Sequence, residues 1–263
     1  MRIAEATALV TGATGGIGQA IARELAGRGA SLVLTGRRAD VLEPLAAELG
    51  ARAIVADLSE RDGAVRVMEE AGPVDLLVAN AGLPASGPLT DFSLEEIDRA
   101  LDVNLRVPIV MARLAAEQMT SRGRGHLVFV SSIGGKVAAG GTSLYNATKF
   151  GLRGLALGLR EDLRPHGVGV SAIYPGFIRE AGMFADAGVS LPPGVGTSTP
   201  DDVARAVVRA IEQDRGEIEV APLPVRIGVT LGTLAPGLFA RLQRRSGADR
   251  LTRALAEGQR DKR

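Results

Sequence analysis

Along most of the chain, short runs of β-branched and aliphatic residues alternate with longer stretches whose apolar positions recur at helical spacing. The runs Thr7–Val10, Ser31–Thr35, Ala53–Ala56, Asp75–Ala79, His126–Val130, Val168–Tyr174 and Ile218–Val220 read as strands. Such alternation predicts βαβ units, and so one doubly wound α/β domain with a seven-stranded, mostly parallel sheet flanked by helices. Ser93-Leu94-Glu95-Glu96 has the form of a capping box and predicts a helix reaching to about Met119. Thr199-Pro200-Asp201-Asp202 supplies an N-cap, a proline at the first helical position and early acids, and Val203–Ile211 continues in helical period. No repeat or low-complexity linker divides the chain. Residues 1–225 form the body of the domain, and 226–263 a basic amphipathic C-terminal extension of it.

Composition narrows the chemistry. The chain has 263 residues and a net charge of +1, so nothing in the overall balance calls for nucleic acid. It has no Cys, which excludes disulfides, thiol catalysis and thiolate metal sites. Its two His, His126 and His166, lack ligand-like spacing, and no metal site is expected. The N-terminus runs into the first strand without a signal-peptide pattern, which predicts a cytoplasmic protein.

Between the first strand and the first helix lies Thr11-Gly12-Ala13-Thr14-Gly15-Gly16-Ile17-Gly18. Strand, glycine turn and helix is the context in which glycines let the backbone approach a pyrophosphate while the helix N-terminus presents free N–H groups. Downstream, Tyr145 and Lys149 stand four residues apart, a spacing that puts both on one face of a helix. A cation beside a phenol favours the phenolate and makes the hydroxyl a better acid-base group. The alternative is a solvated Lys beside a half-buried Tyr.

The Gly-x-x-x-Gly-x-Gly spacing of Gly12, Gly16 and Gly18, followed by Tyr-x-x-x-Lys, resembles the short-chain dehydrogenase/reductase family from about Thr7 to Val220. The resemblance implies a Rossmann-like fold and hydride exchange between NAD(P) and a carbonyl or secondary alcohol. In that reading Thr14, Gly15, Gly16 and Ile17 belong to the phosphate loop. Asp57, with Leu58, matches the adenine contact, and Asn80-Ala81-Gly82 the element beside the cofactor. Pro175-Gly176, with Ile178, resembles the element flanking nicotinamide. Ser132, thirteen residues before Tyr145, matches the catalytic serine, and Asn104 the helix asparagine of the active site. The family's roles follow: Tyr145 exchanges the proton, Lys149 lowers its pKa and holds a ribose hydroxyl, Ser132 polarises the substrate oxygen, and Asn104 binds a water on the proton path. Bringing a phenol from a pKa of ~10 to neutrality requires about three units, on the order of 4 kcal/mol.

Specificity between nicotinamides is read at Gly36-Arg37-Arg38, where the second strand ends. An acid there would accept from the adenosine ribose; this chain has glycine followed by two guanidinium groups, which suit a 2′-phosphate. NADP(H) is the expected coenzyme, with NAD(H) left open.

Phe177–Thr199 carries glycines, prolines and little periodicity, which predicts a mobile lid. Its Phe177, Ile178, Met183, Phe184, Val189 and Leu191 suggest a lipophilic carbonyl or alcohol substrate. The lid departs from the family at Glu180, where a threonine often touches the nicotinamide carboxamide. From Arg226 to the end, nine basic and three acidic residues include Arg241, Arg244, Arg245, Arg250 and Arg253, interleaved with Leu242, Leu251 and Leu255. Two readings stay open: a tail resting on an anionic membrane surface, or a helix packed near the cleft or against another subunit. The resemblance implies a homo-oligomer joined through the helices spanning Ser93–Met119 and Ser143–Arg164. A catalytically silent NAD(P)-binding sensor or scaffold is the competing class, against which intact Asn104, Ser132, Tyr145 and Lys149 argue.

Overall fold

The computed structural model describes residues 1–186, 188–189, 191, 195–246 and 248–259, without the side chains of 186, 245, 246, 248–251 and 253. The tail residues Arg245, Arg250, Leu251 and Arg253 therefore lie outside the described side chains, as parts of the lid lie outside the described residues.

Strands β1 (Thr7–Thr11), β2 (Ser31–Gly36), β3 (Arg52–Val55), β4 (Leu76–Ala79), β5 (Gly125–Val130), β6 (Val168–Pro175) and β7 (Glu217–Val220) form one sheet ordered β3-β2-β1-β4-β5-β6-β7. Each lies within about a residue of its expected place. Every neighbouring pair is parallel, so the sheet is wholly rather than mostly parallel. The reason is that a helix crosses over between each strand and the next.

Those helices are α1 (Gly16–Gly27), α2 (Ala39–Leu49), α3 (Gly63–Ala71), α4 (Leu94–Leu101), α5 (Val107–Arg122), α6 (Ser143–Leu163), α7 (Met183–Asp186) and α8 (Pro200–Glu212). Successive strand residues point to opposite faces. Ala8 and Val10 pack with α1, α2 and α8, whereas Leu9, Leu127 and Phe129 pack with α3, α5 and α6. With both faces covered, the central strands β4 and β5 are dry, and burial of each large aliphatic side chain contributes roughly 1.5–3 kcal/mol. Strand order reverses direction between β1 and β4, which opens a crevice above their C-terminal ends.

The capping box forms as expected: Glu96 N–H donates to Ser93 Oγ at 3.2 Å, and Ser93 N–H to Glu96 Oε2 at 2.8 Å. The helix it opens is not continuous to Met119, however. A π turn over Asp102–Arg106 separates α4 from α5. Pro108 has no N–H with which to continue the ladder, and the extra residue in the turn absorbs the break. The C-terminal extension folds as three helices, α9 (Leu223–Leu234), α10 (Pro236–Ser246) and α11 (Ala248–Gly258). Among the described residues no helix is long and apolar enough to cross a membrane.

Candidate active site

The ends of β1 and β4 are stitched together by side chains. Thr11 Oγ1 accepts the N–H groups of Asn80 and Ala81, both at 3.0 Å, and Asn80 Nδ2 donates to the carbonyls of Thr11 at 3.0 Å and Gly12 at 3.3 Å. This brings the Gly12 turn against Ala81. A Cβ on Gly12, whose φ is +64°, would lie 2.8 Å from Ala81 Cα, and one on Gly18 would lie 2.2 Å from the Gly12 carbonyl oxygen. Only glycine closes this turn. Helix α1 then begins at Gly16 behind Gly15, which has no side chain to cap it. Uncapped N–H groups beside a turn stripped of Cβ atoms fit a dinucleotide pyrophosphate.

Helix α6 supplies the acid-base pair. Lys149 Nζ lies 5.7 Å from the Tyr145 ring centroid and donates to the Val130 carbonyl at 3.3 Å. The Ser132 hydroxyl accepts the Gly134 N–H at 3.1 Å and lies close enough to the Tyr145 phenol to favour its ionised form. Residues not singled out from the sequence lock this arrangement. Ser131 Oγ donates to the Lys149 carbonyl at 3.1 Å, and Asn146 Nδ2 to the Gly134 carbonyl at 2.6 Å. A Cβ on Gly135 would lie 2.6 Å from the Lys149 carbonyl oxygen, so the loop presses its backbone against α6. The signal available in sequence was adjacency: Ser131 flanks Ser132, and Asn146 flanks Tyr145.

Electrostatics depart from expectation. Burial pushes the Tyr145 phenol above its ordinary value, and the Ser132 hydroxyl, which favours phenolate, offsets this only in part. Burial also lowers Lys149, to about 8. Burial thus works against the drop expected at the phenol.

Asn104 is wholly buried and does not border the cleft. Its Oδ1 accepts the Leu83 N–H at 2.6 Å and its Nδ2 donates to the Leu83 carbonyl at 2.9 Å, clamping the segment after Gly82. Its backbone lies within the π turn over Asp102–Arg106.

At the end of β2, a Cβ on Gly36 would lie 2.7 Å from Thr14 Cγ2. An acidic side chain there would have to displace the Thr14 methyl. Arg38 Nη2 donates to the Thr14 carbonyl, bracing the glycine turn, while Arg37 extends to Asp57 Oδ2 at 3.8 Å. Asp57 is partly desolvated, but the Ser59 N–H and hydroxyl, both 2.8 Å from its Oδ1, hold its pKa below the ordinary value.

All predicted site residues except Asn104, from Gly12, Thr14, Gly15, Gly16, Ile17 and Gly18 to Pro175, Gly176 and Ile178, border a single cleft of about 920 Å³. Leu58, Asn80, Ala81, Gly82, Ser132, Tyr145 and Lys149 are among them. The far wall was not anticipated in detail: Val225, Val229, Phe239, Thr252, Leu255 and Gln259 come from α9–α11 and the residue beyond. Of the two readings of the tail, the described part thus packs beside the cleft. In the described part of the lid, Ile178 and Ser198 form a parallel bridge and the Phe177 and Phe184 rings lie 5.2 Å apart.

The sequence profile of the short chain dehydrogenases matches residues 6–189. The chain belongs to that family. It is 35% identical over 240 residues to the ketoacyl reductase HetN of Nostoc sp., covering 88% of this chain and 84% of the relative. It is 32% identical over 263 residues to dehydrogenase/reductase SDR family member 7B of Bos taurus, covering 91% and 81%. Among solved structures it resembles the 3-ketoacyl-(acyl-carrier-protein) reductase of Brucella melitensis complexed with NADH, with a TM-score of 0.74, 28% identity, and 83% and 97% of the two chains covered. A short-chain dehydrogenase of Sphingobium yanoikuyae in complex with NADPH gives a TM-score of 0.74 at 28% identity, over 96% and 95%. This short-chain dehydrogenase/reductase is accordingly an oxidoreductase of the nicotinamide-dependent class.

Proposed function

We propose that the protein is an NADP(H)-dependent carbonyl reductase acting on a ketone carried by an apolar body. The observation that carries this reading is the convergence of Ser132, Tyr145 and Lys149 on one cleft with the glycine turn. When bound, the nicotinamide coenzyme supplies the hydride. Ser132 donates to the substrate carbonyl oxygen, stabilising charge as it develops. Tyr145 gives its proton to that oxygen. A phenol kept protonated at neutral pH is a proton donor, which favours reduction over oxidation. Lys149, charged below about 8, orients the coenzyme ribose and keeps a positive charge beside the phenol as the proton leaves. Asn104 acts at one remove, its side chain clamping Leu83 and so positioning the segment after Gly82 beside this pair.

The Thr14-filled space at Gly36 and the exposed Arg37 guanidinium support NADP(H). The Phe177–Phe184 pair and the α9–α11 wall support an apolar substrate, and the ketoacyl reductases among its relatives make 3-ketoacyl thioesters the first compounds to try. NADPH consumption should be followed with ketoacyl thioesters, bulky ketones, aldehydes and quinones. Turnover with apolar ketones, and an Arg37→Ala variant weakened about 10–100-fold for NADPH but unchanged for NADH, are the expected results. Coenzyme binding without turnover on any carbonyl would favour the silent sensor instead.

A further inference from the structure

The lid leaves a gap in how the reactive end of the coenzyme is held. Glu180 occupies the position where a nicotinamide-contacting hydroxyl was expected, but it turns away from the cleft. Its backbone is left-handed, with φ +73°, and its carboxylate pairs with Arg179 Nε at 2.9 Å in solvent. A polar side chain from the opposite end of the chain reaches the cleft instead. Thr252, Leu255 and Gln259 are spaced to share one helix face, and all three border the cleft. Gln259 is only 4% exposed. Its Nε2 donates to the Met183 carbonyl at 3.0 Å, which fixes the orientation of the side-chain amide. Its Oε1 is buried and has no hydrogen-bond partner among the described residues.

Such an oxygen loses free energy unless a donor meets it. Its surroundings say which donor. Met183, to which Gln259 is tied, carries its Cε to 3.7 Å from the place where a Cβ on Gly82 would stand, and Lys149 Nζ is 3.7 Å from the same point. Gln259 is thus anchored to the backbone of a residue whose side-chain end lies beside Gly82 and Lys149. A substrate carbonyl offers only an acceptor and cannot pair with Oε1. The primary amide of nicotinamide offers N–H donors.

We propose that Gln259 Oε1 accepts a hydrogen bond from the carboxamide N–H of the bound nicotinamide, in place of the hydroxyl that position 180 does not supply. This assignment rests on the reading of the cleft as a dinucleotide site. It makes the residue just beyond the last helix a part of the coenzyme site.

The test compares oxidised NADP with its 3-acetylpyridine analogue, in which a methyl group replaces the amide nitrogen and the carbonyl is kept. Calorimetric titration of the full chain should show the parent binding about three- to tenfold tighter than the analogue. Gln259→Met, of similar length, should lower affinity for the parent to that for the analogue and leave the analogue unaffected. Equal loss for both would mean that Gln259 only latches Met183, and would overturn the assignment. So would equal affinity of the wild-type chain for the two, a result independent of how the variant folds. If the wild-type chain bound neither compound, the dinucleotide reading itself would fall.

Discussion

The two ends of the cleft are built differently. At the coenzyme end, backbone meets backbone: Gly12 lies against Ala81, Gly18 against the Gly12 carbonyl, and Thr11 and Asn80 tie the strand ends together. At the substrate end, side-chain tips meet side-chain tips. A Cβ on Gly232 of α9 would touch Val137 Cγ1 at 2.5 Å and the Phe239 ring at 3.0 Å. The same helix leaves Leu223, Ile227 and Leu234 at 64%, 59% and 80% exposure. Backbone contact fixes shape whatever side chains surround it. Contact between tips can be repacked, so that end can change its ligand without changing the fold.

Tyr145 stands where the two ends meet and should separate binding from chemistry most sharply. Tyr145→Phe keeps the ring and removes the proton. Turnover should fall by about 10²–10⁴-fold, while the coenzyme dissociation constant stays within about twofold. An affinity loss as large as the loss in turnover would assign the residue to the binding end instead.

Gly18→Ala tests the rigid end directly. The added methyl meets a backbone carbonyl that cannot move without opening the turn, and a cost of about 3 kcal/mol is expected. Thermal unfolding should drop by about 10 °C and coenzyme binding should be lost with it. A smaller effect comes from pH. Lys149 is depressed from 10.5 to about 8, so its ammonium is present below that pH and lost above it, while the raised phenol of Tyr145 stays protonated throughout. For carbonyl reduction, kcat/KM should be flat below about pH 8 and fall up to roughly tenfold per unit above it. A rise across the same window would mean that the phenolate, not the phenol, is the working form.

How much of this was legible in the sequence follows the same division. The glycine turn, Asn80-Ala81-Gly82 and the Tyr145/Lys149 spacing could be read because each is a short local pattern whose geometry is set by the backbone. All seven strands could be read for the same reason, being short apolar runs between turns. The π turn at Asn104 was hidden because Pro108 acts through a missing hydrogen bond, and the pattern of apolar positions does not register one. The raised phenol was hidden because burial is a sum over distant parts of the chain. Gln259 was hidden because more than seventy residues separate it from Met183, and no local pattern links a tail glutamine to a lid carbonyl.

Gly232→Ala is the counterpart of Gly18→Ala and the smallest of these effects. The added Cβ meets the ends of Val137 and Phe239, not a peptide group. Alanine also gains roughly 0.5–1 kcal/mol over glycine inside a helix. Repacking of two tips should cost somewhat more than that gain, leaving a net loss of about 1 kcal/mol and a drop of about 3 °C in thermal unfolding. Both displaced side chains border the cleft, so the change should be felt by substrate before it is felt by stability. KM for bulky ketones should rise while KM for small ketones, kcat and coenzyme affinity hold. If Gly232→Ala cost as much as Gly18→Ala, the substrate end would be as rigid as the coenzyme end, and the contrast between tip and backbone contacts would fail.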